Sequence, residues 1–154
     1  MLKIFPWQKK KEFFTQEEQK QLVDAIQKAE QQTSGEVRVY VESKCKYVDA
    51  LDRAQEVFVS LKMHETELRN ATLIYVAVKD KQAAVFGDQG IHHKVGEQYW
   101  KDVVTKMLLH FKNQKLADGI CQGVHDLGEA LKTYFPYNSD TDKNELPDEI
   151  VFGR

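Results

Sequence analysis

The sequence predicts an α/β fold, a three-layer α/β/α sandwich with a mixed sheet, a βαβ crossover and a β-hairpin. Three observations lead there. A helical pattern separates two β-rich runs, so those two strands should be parallel and joined by a right-handed crossover. The second run, residues 71–78, is apolar nearly throughout, as a strand covered on both faces should be. Only Lys79, Asp80 and Lys81 separate it from a third run, which is hairpin spacing.

Each element has its own local signal. Thr15 and Glu18 form the S/T-x-x-E pattern that opens a helix. Leu22, Val23, Ile26 and Ala29 then recur at helical spacing, and Ser34-Gly35 stops the helix. Residues 36–42 alternate near their start and are rich in β-formers. A second helix over 49–62 places Leu51, Ala54, Val57, Phe58 and Leu61 on one face. The third strand covers 82–87, Gly87-Asp88-Gln89-Gly90 breaks it, and a short helical turn covers 91–95. A helix over 96–113 carries Tyr99, Trp100, Val103, Met107 and Phe111 on one side. A last helix over 116–135 carries Ile120, Val124, Leu127 and Leu131, and Pro136 ends it. Residues 149–152 are expected to pair as an edge strand or to dock. The chain thus divides into a flexible basic arm (1–12), an α/β/α domain (13–136) and an acidic tail (137–154) that docks on the domain.

Length and composition exclude several classes. At 154 residues and 42% apolar content, one domain with one real core is expected. The net charge of −2 argues against a generic nucleic-acid binder. No run approaches the ~18 apolar residues of a membrane span. At the N-terminus Lys9, Lys10 and Lys11 follow the apolar residues, the reverse of a secretory signal, so a cytoplasmic location is expected. Cys45 and Cys121 form no CxxC pair and read as small buried residues.

Several catalytic and metal motifs open in the sequence and do not complete. His64-Glu65 opens like HExxH, but position 68 is Leu. Asp140, Asp142 and Asn144 open like a calcium loop, but Glu145 stands where Gly is needed and Val151 where Glu is needed. Neither cysteine has Arg six residues on, and there is no P-loop or Gly-x-Ser-x-Gly elbow. Adjacent His92 and His93 point in different directions and read as surface residues.

One constellation survives. If strands 2 and 3 pair about Lys79, Asp80 and Lys81, Asn70 and Asp88 fall opposite each other within a residue. If strand 1 is parallel to strand 2, Glu36 lies at the same edge. Two carboxylates and an amide oxygen are hard ligands, suited to Ca²⁺ or Mg²⁺. Arg69 and Thr66 lie nearby as candidate anion-binding residues. The bland alternative is that Asp88 caps the turn before Ile91 and Glu36 pairs with a surface lysine.

These residues also carry a resemblance. Thr33-Ser34-Gly35-Glu36-Val37-Arg38-Val39, the stretch from Met63 through Arg69-Asn70-Ala71 to Val76, and Gly87-Asp88-Gln89-Gly90-Ile91 resemble the TPM domain family. So do His110-Phe111-Lys112, Asp118-Gly119-Ile120 and the closing Asn144-Glu145-Leu146-Pro147-Asp148-Glu149-Ile150. The likeness runs over about 13–153 and is strongest to small stand-alone bacterial members of Bacteroidetes type. It implies an α/β/α sandwich. Family members include a thylakoid-lumen protein linked to photosystem II repair and described as an acid phosphatase, and membrane-anchored receptor modulators. Divalent metal binding, chiefly calcium, recurs among them, and the resemblance makes Asp88 the first ligand candidate. The chain departs from many relatives in lacking a recognisable signal or membrane helix, and in having Ala71 where they have Gly.

Two functions are therefore expected to compete. One is a Ca²⁺- or Mg²⁺-binding, non-catalytic interaction or accessory module with an unknown protein partner, monomeric and without nucleic acid. The other is a metal-assisted acid phosphatase in which the ion polarises a phosphoryl oxygen and Arg69 clamps the phosphate. The second lacks a side-chain nucleophile.

Overall fold

A computed structural model describes residues 13–138 and 150–153. The arm over 1–12 and most of the acidic tail, including the calcium-like stretch, lie outside the described residues. The elements in chain order are α1 (Gln16–Glu30), β1 (Glu36–Glu42), α2 (Ala50–Ser60), β2 (Ala71–Ala77), β3 (Gln82–Gly87), α3 (Gln89–Val95), α4 (Glu97–Lys112), α5 (Leu116–Tyr134) and β4 (Val151–Phe152).

The sheet order is β3-β2-β1-β4. β1 and β2 are parallel, with Glu36 opposite Ala71 and Glu42 opposite Ala77. β2 and β3 are antiparallel, with Thr72 opposite Gly87. β4 pairs parallel to the end of β1, Val151 opposite Tyr40, so the closing segment is an edge strand. The crossover and hairpin expected from the sequence are both present.

Strand alternation divides the core in two. Val37, Val39, Val41, Ile74, Val76 and Val85 pack with Leu22, Ile26, Trp100, Met107, Val124 and Leu131 on the face covered by α1, α4 and α5. Leu73, Tyr75 and Ala84 pack with Ala54, Val57, Phe58 and Met63 on the face covered by α2. All seven residues of β2 are buried, which explains its unbroken apolar run.

Differences from the expected boundaries have local causes. α1 ends at Glu30, short of Ser34-Gly35, because buried Thr33 ties the following loop to α5 by donating to the carbonyls of Leu131 and Phe135 and accepting from Gly35 N–H at 3.0 Å. α2 ends at Ser60, and Lys62 takes a left-handed φ of 58°. The third helical piece starts at Gln89 rather than at 91, because Asp88 caps it. The cysteines are half-buried rather than buried, and burial pushes the Cys121 thiol up to about 11. Among the described residues no helix is long and apolar enough to cross a membrane.

Candidate functional site

The starts of β1 and β2 and the end of β3 meet at one edge of the sheet. Glu36 N–H donates to the Asn70 carbonyl at 3.4 Å, and Asp88 N–H donates to the Ala71 carbonyl at 2.9 Å. Gly90 N–H donates to the Arg69 carbonyl at 2.8 Å, which draws α3 onto the loop before β2. The expected juxtaposition of Glu36, Asn70 and Asp88 thus holds for their main chains.

Their side chains divide. The Asp88 carboxylate is 4% exposed and carries three hydrogen bonds. Gln89 N–H donates to Oδ1 at 2.7 Å. Arg69 donates through Nε to Oδ2 at 2.7 Å and through Nη2 to Oδ1 at 2.9 Å. This bidentate pairing raises the Arg69 pKa and fixes the guanidinium as a cation. Asn70, 1% exposed, donates from Nδ2 to Ser34 Oγ at 3.4 Å, while its Oδ1 has no partner among the described residues. Thr66 Oγ1 is likewise buried and unpartnered. Glu36 is 3% exposed, and its carbonyl accepts from Thr72 Oγ1 at 2.9 Å.

The chemistry available is that of hard oxygens. Among the described residues no group of three or more His, Cys, Asp or Glu is placed to hold a metal ion, so a cation at this edge would have to draw on Glu36 and Asp88 with neutral oxygens from Asn70 and Thr66. That donor set fits Ca²⁺ or Mg²⁺ and offers nothing to a soft metal. Arg69 already occupies Asp88, so a cation there has to share or displace that contact. Ala71, in place of Gly, is fully buried in the core beneath α2.

A cleft of about 1010 Å³ opens beside this edge, along β3 between α2 and α4. Arg69, Asp88, His92 and Trp100 line it. Gly87 lets the Trp100 ring lie against the strand; a Cβ there would stand 2.4 Å from the ring. Trp100 Nε1 donates to His92 Nδ1 at 2.9 Å, so Nδ1 is the acceptor nitrogen of the ring. Both histidines are expected on the surface from their adjacency, but His92 is half-buried and His93 is exposed. An eight-residue spacing across two helices left no local signal for the Trp100 contact.

A second polar cluster, also missed, lies at the opposite end of the sheet. Glu42 is 5% exposed and accepts from Arg53 Nε at 2.9 Å and Nη2 at 3.0 Å, and from the Tyr75 hydroxyl. Burial first, and then the Glu42 hydrogen bond, raise the Tyr75 pKa. Every member has a partner, which makes this cluster a structural tie between α2 and the sheet.

The sequence profile of the TPM domain matches residues 8–130, most of the chain. The chain belongs to the TPM domain family. The solved NMR structure of the BA42 protein from the psychrophilic bacterium Bizionia argentinensis is similar at 44% identity. It superposes with a TM-score of 0.84 over 92% of this TPM domain protein and 97% of BA42. The N-terminal domain of the cg2496 protein from Corynebacterium glutamicum is 10% identical. It has a TM-score of 0.56 over 90% of this chain and 80% of that one, a likeness of fold alone. No match was found among curated proteins.

Proposed function

We propose that this TPM domain is a non-catalytic accessory module, monomeric and cytoplasmic, whose edge at Glu36, Asn70 and Asp88 binds Ca²⁺ or Mg²⁺ and is thereby set for a protein partner. One observation carries the reading: among the described residues Asn70 Oδ1 and Thr66 Oγ1 are buried without a hydrogen-bond partner, at the sheet edge where Glu36 and Asp88 are also buried. An unsatisfied buried oxygen costs about 1–3 kcal/mol, and a cation supplies the missing partner.

Calcium titration by calorimetry tests the reading on three variants. Asp88→Asn and Asn70→Ala should each weaken binding by about tenfold or more. Arg69→Gln, which removes the competing cation from Asp88, should strengthen it. Binding that ignores all three changes contradicts the site.

The cleft beside Arg69 and Asp88 favours a second reading, a metal-assisted phosphomonoesterase. Its measure is hydrolysis of a simple aryl phosphate with Ca²⁺ or Mg²⁺ present. Robust turnover lost in Asp88→Asn would replace the accessory reading with the enzymatic one.

A further inference from the structure

In the sheet order β3-β2-β1-β4, β3 has a neighbour on one side only. Asp88 N–H donates to the Ala71 carbonyl, so in this antiparallel register Phe86, Ala84 and Gln82 make the hydrogen-bonded pairs with β2. Ladder alternation then turns the N–H and C=O of Ala83, Val85 and Gly87 away from β2. Among the described residues none of these main-chain groups has a hydrogen-bond partner. All three residues line the cleft of about 1010 Å³. Val85 is only 3% exposed, so its outward groups are nearly withdrawn from water as well as unpaired, a state that main-chain groups rarely keep without a partner.

The strand itself does nothing to blunt this edge. It reads Gln-Ala-Ala-Val-Phe-Gly, with no charged residue and no proline, and it pairs with β2 over six successive residues without a bulge. What guards the edge is its depth. α2 stands on one side of the cleft and α4 on the other, so a partner has to enter between them.

We propose that the open edge of β3 docks a single extended peptide segment of a partner protein, which adds to the sheet as a further strand. The unpaired donors and acceptors recur at every second residue, about 7 Å apart, a spacing that another extended chain reproduces and a helix does not. A second copy of this chain would bring its own α2 and α4 against these helices, so the recess takes a lone strand and excludes an edge-to-edge dimer. Side chains of the entering strand alternate between two walls, Trp100 and Val104 of α4 on one side and Leu51 and Gln55 of α2 on the other. The segment is therefore apolar at alternate positions, with polar residues tolerated on the α2 side. This gives a chemistry to the protein partner of the accessory reading and rests on that reading for there being one; the cation takes no part in the contact.

Random dodecapeptides displayed on phage and selected on the full chain in EDTA test the proposal. Enriched sequences should be apolar at alternate positions. A synthetic copy of the strongest should slow hydrogen exchange of the Ala83, Val85 and Gly87 amides by roughly tenfold or more. N-methylation of one alternate set of its amides should abolish binding, and methylation of the other set should spare it. Ala83→Pro removes an outward donor and no bond to β2, so it should weaken binding by about tenfold or more while β2 and β3 stay paired. No enrichment, protection that falls elsewhere than on β3, equal loss from both methylation patterns, or indifference to Ala83→Pro overturns the proposal. None of these results bears on calcium titration of the same protein, so the cation site and the strand-docking edge fail separately.

Discussion

Asp88 shows how much of a site is decided by the partner of one carboxylate. From sequence alone it is both a ligand candidate and a helix cap, and the structure has it capping α3 while gripped by Arg69. The strand register that brought Asp88 near Asn70 was legible, because it follows from the short turn at Lys79, Asp80 and Lys81. The guanidinium was not, because Arg69 adopts a left-handed φ of 52° that no local pattern announces. Arg53 is a parallel case: 11 residues separate it from Glu42, and only the packing of α2 on the sheet joins them. Arg53→Met leaves Glu42 buried with the Tyr75 hydroxyl alone. It should cost about 3–5 kcal/mol in urea unfolding, and a further Glu42→Leu should recover much of that. A change below about 0.5 kcal/mol for the single variant would mean that Glu42 is well hydrated.

Elements were the most legible scale. β1 and β3 fall where alternation and turn residues place them, and β2 ends one residue early at Ala77. The helices match to within a few residues, since their apolar stripes are what packs on the sheet. What the pattern could not supply is the close docking of α3. Gly90 sits so near the loop before β2 that a Cβ would stand 2.3 Å from the Leu68 carbonyl oxygen and 2.6 Å from that of Arg69. These are backbone atoms and cannot swing away. Gly90→Ala should therefore cost about 1–3 kcal/mol and loosen the Arg69–Asp88 pair. Thermal unfolding together with the Asp88 amide shift checks this. An unchanged melt would show that α3 shifts freely.

For the whole molecule the clearest pH response lies on the alkaline side. Burial raises the phenol pKa values of Tyr40, Tyr75 and Tyr99, the last to about 12. In the unfolded chain a phenol ionises near pH 10, so the folded state keeps protons that the unfolded state releases. Their contribution to stability is full below about pH 10 and is lost as pH climbs toward and through the raised values. Urea midpoints should be flat around neutrality from these groups and drop between about pH 10 and 12. Tyr75→Phe should blunt the drop; an undiminished drop would assign it elsewhere.

The central claim is that a hard cation is held at the edge where β1 and β2 begin and β3 ends. Its most direct measurement is a Ca²⁺ titration of the labelled protein followed amide by amide. Saturable shifts centred on Glu36, Asn70, Asp88 and Gln89, shared by Thr66, are the predicted result. No shift at millimolar calcium, or shifts confined to residues 139–149, would contradict it.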